Sequence, residues 1–512
     1  MNEHSKWWAL AAICIATFML LLDVTIVNVA LPEIERDLGA EFSDLQWVIN
    51  AYALTLGATL LTAGAVADRI GRRRVFTFGL VLFSLASLAC GLADSPLALN
   101  VARGVQGLGG AAIFATSLAL LAQTFQSNRE RATALAIWGA TTGASVAVGP
   151  LVGGLIIELA SWEWIFFVNV PVGMLAVALT LRRVGESSDP NAGRIDWAGL
   201  VLFSVALAAL IFGLQRGNDE GWGSTTIVAT LVGATVAFVL FIAVERRQVR
   251  PMLDLALFRK PTTSGASIAV LAIAAGVFAM LLFLTLYLQN VLGYDALESG
   301  LRLLPLTVAS FFAAAIGARL GERLPIGALL GVALAFAGTG LLLMRGISPG
   351  GEWTVLLPGM VLTGAGIGLL NPSVAKAALG VVHPARSGMA SGLNSTFRIG
   401  GVALGVAGLG AVFQHEVASK VVETLAGTSL QPQAERLGDA FASGNPQAAV
   451  ASVPPGQRGV LAQAAEASFV SGLESILLVA ALVCFAGAVL SVILVRQRDF
   501  VQQPGETAAV AA

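Results

Sequence analysis

Two ionisable residues stand inside apolar stretches, where a charge is costly. Asp23, in LLDVTIVNVALP, lies deep in one stretch, and Arg103, in NVARGVQGLGGA, lies in another. A carboxylate at such a place costs about 3 kcal/mol on insertion scales, so it calls for a cation, a water-filled path or a proton. Burial disfavours its charged form and a nearby cation favours it, so it can take up and release a proton as its surroundings change. That is proton-relay chemistry; a purely structural ion pair would use the same two residues. Gln106 shares the helix face of Arg103, three residues on. If the two stretches run in opposite directions across a membrane, the depths of Asp23 and Arg103 differ by only about 3 Å, so a pair is geometrically possible.

The elements that must hold these residues are apolar helices. Of 512 residues, 56% are hydrophobic and 12% charged, about half the charge of a soluble chain. Fourteen apolar segments are long enough to span a bilayer, near 7–30, 45–66, 75–93, 97–122, 132–157, 163–181, 196–215, 224–244, 263–290, 299–318, 325–344, 353–379, 388–414 and 470–495. The stretch 416–468 is too polar to span and is expected to be an external loop with short amphipathic helices. The first apolar run continues through Asp23, unlike a cleavable signal peptide.

Several chemistries are disfavoured. A net charge of −1 offers no basic surface for nucleic acid. Cys14, Cys90 and Cys484 lie inside apolar runs, and His4, His383 and His415 are scattered, which suggests neither a disulfide framework nor a metal site. None of the four lysines follows glycine, so there is no phosphate-binding G-x-x-x-x-G-K-[ST] loop and no sign of ATP as the power source.

Charge also orients the chain. With fourteen spans, twenty of the 30 lysines and arginines fall on the side of both termini and six on the other, which predicts cytoplasmic termini. An internal repeat is faintly visible. RATALAIWGATTG from Arg131 and RSGMASGLNSTFRIGG from Arg386 each open a Gly-rich span, and Gly107–Gly109 matches Gly366–Gly368. The expected organisation is a six-helix bundle over 1–183, two extra helices and linkers over 184–260, a second six-helix bundle over 261–500, and a cytoplasmic tail over 501–512. Many secondary transporters are built from such repeats, with the substrate between them.

Within this frame, WGATTGASVAVGPLVGG (residues 138–154) is the stretch poorest in bulk. Gly139 and Gly143, and again Gly149 and Gly153 with Gly154 beside them, present small faces to a neighbouring helix. Pro150 is expected to bend or loosen the helix. The loop DRIGRRR carries Asp68, Arg69, Gly71 and Arg72, with Gly64 one turn before Asp68. Asp68 can cap a helix or pair with an arginine, and the basic run also anchors topology. Asn28, Asn371, Asn394 and Arg398 are candidate cavity-lining residues, each asparagine being equally suited to a helix–helix hydrogen bond; Lys376 is expected to snorkel to the interface. WEWIFF, from Trp162 to Phe167, is expected to form an aromatic interface belt.

Taken together, these motifs resemble those of the major facilitator superfamily, and within it the fourteen-span drug:proton antiporters. LDVTIVNVALP (22–32) is similar to that group's first-span motif, GAVADRIGRRR (64–74) to the superfamily's loop motif, RGVQGLGGA (103–111) to the fourth-span motif, and GATTGASVAVGPLVGG (139–154) to the fifth-span antiporter motif. The resemblance implies an all-α polytopic membrane protein of two six-helix halves plus two inserted central helices. It further implies a proton-coupled exporter of amphiphilic or cationic organic compounds in a bacterial inner membrane, needing no cofactor and catalysing no reaction. Asp23 would bind protons or cationic substrate, Arg103 would aid coupling, the Gly149–Pro150 bend would help seal the pathway, and Asp68 with its arginines would gate it. Export of a native metabolite or lipid, and a transport-inactive sensor on the same fold, remain alternatives.

Overall fold

The computed structural model describes residues 3–125, 127–188, 196–248, 255–321, 323–381, 387–442, 449–450 and 453–500. The tail expected over 501–512 lies outside the described residues. Among those described there are helices and no strands. The helices are α1 (Glu3–Leu38), α2 (Phe42–Ile70), α3 (Arg72–Gly91), α4 (Pro96–Thr124), α5 (Asn128–Leu159), α6 (Trp164–Phe167), α7 (Asn169–Arg183), α8 (Trp197–Glu220) and α9 (Thr225–Glu245). They continue with α10 (Pro261–Ile273), α11 (Ala279–Leu286), α12 (Ala296–Leu320), α13 (Ile326–Leu343), α14 (Leu357–Gly380), α15 (Ser387–Leu425), α16 (Ala434–Ala442) and α17 (Arg458–Leu494). Two π-helical turns, Ala274–Phe278 and Tyr287–Val291, make α10 and α11 one span.

Helix starts follow the polar residues that precede the apolar runs. The side chains of Ser95, Ser127, Asp196, Ser224 and Asp295 each accept a hydrogen bond from a first-turn amide, starting α4, α5, α8, α9 and α12. Such caps satisfy amides that a helix cannot satisfy itself.

Among the described residues, twelve helices are long and apolar enough to cross a membrane, or thirteen if the two parts of α2, bent by 50° between Leu60 and Thr62, are one span. The expected fourteen is not reached by this measure. The shortfall includes α5, many of whose side chains between 128 and 147 lie outside the described residues, so that only Val148–Leu159 is counted as an apolar helix. Helix α5 runs continuously through Pro150, and α2 is bent by 50°. The 416–468 loop is shorter than expected, because α15 extends to Leu425 and α17 starts at Arg458. Between them α16 is amphipathic, burying Ala434, Leu437 and Phe441. The aromatic belt is reduced to its exposed members such as Trp164, since Trp162 and Phe166 are core residues.

Glycine contacts correct the register of the internal repeat. A Cβ on Gly107 would lie 2.5 Å from the Tyr52 carbonyl on α2, and one on Gly109 would lie 2.6 Å from the Phe83 amide on α3. In the second half, Gly364 meets α12 at the Leu306 carbonyl and Gly366 meets α13, 2.5 Å from the Ala333 carbonyl. Gly107 and Gly109 therefore correspond to Gly364 and Gly366, two residues earlier than the sequence match suggests. In this register Arg103 corresponds to Met360 and Gln106 to Thr363, so the charged pair belongs to the first half alone.

The named contacts that join the halves lie in the part of the bundle away from the 68–74 loop. Gln289 donates to the Val29 carbonyl (2.9 Å), Gln46 donates to the Val406 carbonyl (3.2 Å), and Phe42 stacks near Phe283 and Phe413. A Cβ on Gly154 would sit 2.5 Å from Leu297 Cα on α12, and Gly300 lies against the Pro150 carbonyl. Ile399 closes on Gly57 midway along α2 and α15. The inserted α8 packs on both of those helices, with Leu207 and Ile211 clustered against Ala53, Ala403 and Ala407.

Close packing predicts unequal tolerance among these glycines. Gly109→Val must push α3 and α4 apart and should cost about 1–3 kcal/mol. Gly139→Val, with nothing within 4 Å of its Cβ position, should leave the thermal midpoint of the detergent-solubilised protein unchanged or raised. Equal loss in both variants would contradict the packing described.

Candidate functional site

Asp23 is 1% exposed and Arg103 is 2% exposed, and they meet. Arg103 Nη1 donates to Asp23 Oδ2 at 2.6 Å. Asp23 Oδ1 accepts from Gln106 Nε2 and from Asn169 Nδ2, each at 2.9 Å. Arg103 also donates from Nη1 to Gln106 Oε1 (2.7 Å) and from Nε to the Val48 carbonyl (3.0 Å), and its guanidinium lies 4.3 Å from the Tyr52 ring centroid. Asn169 donates to Ser87 Oγ (3.0 Å), which in turn donates to the Phe166 carbonyl (2.9 Å). Five spans thus join in one network, and two of them, α4 and α7, reach the α1 carboxylate.

Each helix delivers its side chain for a local reason. Gly107, Gly109 and Gly110 let α4 lie directly on α2 and α3, which brings Arg103 under the Val48 carbonyl. Asn169 opens α7 just after the short α6 turn, so its amide points inward from the start of a span. Desolvating two ions costs several kcal/mol each, and only good geometry with further hydrogen bonds offsets it. Charge-assisted bonds of the lengths seen here supply both.

The α5 stretch sits against this site. A Cβ on Gly149 would overlap Thr25 Oγ1, two residues beyond Asp23, and one on Gly153 would lie 2.8 Å from Ile26. Gly154 and Pro150 face α12 of the other half. Gly139, expected to pack closely, instead faces open space, and the surroundings of Gly143 lie outside the described residues. The loop motif forms a separate cluster. Arg72 donates from Nε and Nη2 to Asp68 Oδ1, both at 2.8 Å. Gly71 adopts φ 120°, and its missing Cβ leaves room for Glu186, whose Oε1 accepts from the Arg73 and Ser187 amides. Arg69 is exposed, and Gly64 makes an ordinary contact with Ala115.

The candidate cavity residues divide. Asn28 donates back to its own helix, to the Val24 and Thr25 carbonyls. Arg398 donates to Asn371 Oδ1 at 2.8 Å, and Asn394 Oδ1 is buried without a hydrogen-bond partner among the described residues. Lys376 reaches the Gly321 carbonyl at a helix end. Asn169, Ser87 and Glu186 were not anticipated as site residues. Asn169 carried a signal, a lone amide in the apolar run IFFVNVPVG; Glu186 lies in a linker and carried none.

Comparison with known proteins places this geometry in context. A model described as the Major Facilitator Superfamily matches residues 13–406. Multidrug resistance protein Stp of Mycobacterium tuberculosis is 39% identical over 80% of this chain and 76% of its own. A tetracenomycin C resistance and export protein of Streptomyces glaucescens is 35% identical over 88% of this chain and 83% of its own. Among solved structures, a bacterial homologue of the human lysosomal transporter Spinster, inward-facing and occupied, superposes with TM-score 0.63 at 17% identity, covering 99% of this chain and 100% of that one.

The buried network predicts a sign pattern in stability. Arg103→Met strands a buried carboxylate and should cost about 3–5 kcal/mol. Adding Asp23→Leu removes the stranded charge, and the double variant should regain at least half of that loss. Unfolding of the purified variants measures both; additive losses would show that the pair is not coupled.

Proposed function

The chain belongs to the major facilitator superfamily, and from that premise we propose that it exports amphiphilic organic compounds across the bacterial inner membrane, exchanging them for protons. Two relatives are named for drug resistance or export, which supports small organic cargo here. The observation that carries the proton reading is the Asp23 carboxylate, 1% exposed and held by Arg103, Gln106 and Asn169. Its donors come from different spans, so a shift of α4 or α7 against α1 withdraws some of them. The ionised form then loses its stabilisation, and a proton arriving along an opened path replaces the lost donors. Each charge moved through the potential supplies about 2.3 kcal/mol per 100 mV.

Orientation follows from charge: the excess of arginine around the 68–74 loop supports a cytoplasmic placement of that end and of both termini. Gly149, Gly153 and Gly154 let α5 lie on α1 and α12, and in this reading they seal the periplasmic side. The Asp68–Arg72 pair and Glu186 fix the start of α3 at the cytoplasmic end, where they serve as its gate.

Asp23→Asn keeps the shape and removes the titrating group. In everted vesicles we expect loss of the dye accumulation that an imposed proton gradient drives in wild type, read with both rhodamine 6G and fluorescein, with protein levels near those of wild type. Full gradient-driven transport by Asp23→Asn would remove the proton role. Single cysteines at Arg74 and Glu423 test the orientation: an impermeant maleimide added to intact cells should label only the second. Labelling of the first from outside would reverse the topology.

A further inference from the structure

Among the charged side chains set well inside the spans are Asp23, Arg103 and Arg398. Asp23 and Arg103 neutralise each other and are almost wholly buried. Arg398 differs in each respect. It is half-buried, and among the described residues its hydrogen-bond partner is the neutral Asn371 on α14, with no carboxylate in ion-pair range. It therefore keeps its positive charge and most of its donors unspent at membrane depth.

Its position gives that charge access. Ile399, the next residue, closes on Gly57 of α2. Arg398 is thus partly exposed and lies beside the seam between the halves. One turn toward the 68–74 end, Asn394 shares its helix face, and across from it stands the Asn371 amide.

We propose that Arg398, oriented by Asn371 and flanked by Asn394, is a recognition site for an anionic or carboxylate-bearing group on the transported compound. A guanidinium in a low-dielectric site binds such a group through paired N–H donors, and a cationic head would be repelled there. The acid in the first half does not offset this preference, because Asp23 is committed to Arg103. The inference rests on the export reading, since it names the charge class of that pathway's cargo.

The test uses two dyes that share a xanthene core and differ in sign, fluorescein (anionic) and rhodamine 6G (cationic). Fluorescence anisotropy measures the binding of each to the purified full-length protein. Removing one charge-assisted partner should weaken fluorescein binding about tenfold or more in Arg398→Gln. Arg398→Lys should restore part of it, and rhodamine 6G should bind Arg398→Gln more tightly than wild type. These opposite shifts would not follow from a structural role. If Arg398→Gln is not monodisperse, Asn371→Ala serves instead: it keeps the charge and should weaken fluorescein without tightening rhodamine 6G. Absence of fluorescein binding to wild type, or wild-type affinity in Arg398→Gln, overturns the proposal. Gradient-driven flux of both dyes in vesicles is measured separately; binding without any flux would overturn export and leave the anion site standing.

Discussion

The first half of this protein is organised around one carboxylate that has been taken out of water. An ionised Asp23 is tolerable only because three donors from two other helices, α4 and α7, reach it at 2.6–2.9 Å. That requirement fixes the azimuth of α4, the starting point of α7 and the distance between α1 and its neighbours. A one-residue rotation of α4 would carry Arg103 away from the site and leave two orphaned charges. The network is thus a specification of register as well as a candidate for function, and the second half, with Met360 and Thr363 in the equivalent places, reaches the same packing without it.

What makes the convergence sterically possible is the absence of side chains. Gly107 and Gly109 bring α4 onto α2 and α3, and Gly364 and Gly366 do the same for α14. In lipid there is no hydrophobic gain from helix association, so close backbone approach and its dispersion energy carry much of the stability. The same means seal the two halves to each other at Gly154 and Gly300.

Much of this was readable from the residues. Apolar length located the helices, and the cost of a charge in an apolar run singled out Asp23 and Arg103 before any contact was visible. Equal depth made their pairing possible, and the structure brings them together. Other features were hidden because they depend on azimuth, which sequence spacing constrains weakly in so apolar a chain. Gly139 and Gly149 look alike in sequence, yet one faces open space and the other Thr25. The 50° bend in α2 had no proline in that helix to announce it. The repeat register was off by two residues because glycine-rich helices match each other at several offsets; only the identity of the partner helix distinguishes them. Asn169 was visible as a polar residue in an apolar run, but its partner was not.

The placement of α8 has a mechanical consequence. It rests on α2 and on α15 together, one from each half, so it is attached to both bodies whose separation would open the pathway. A rod fastened to two bodies can stay fastened during their motion only where they pivot rather than part. In such a motion the line of least displacement runs close to α8, and travel grows with distance from it. The inserted pair of helices would then act as a spine along one edge, turning a symmetrical rocker into something nearer a book.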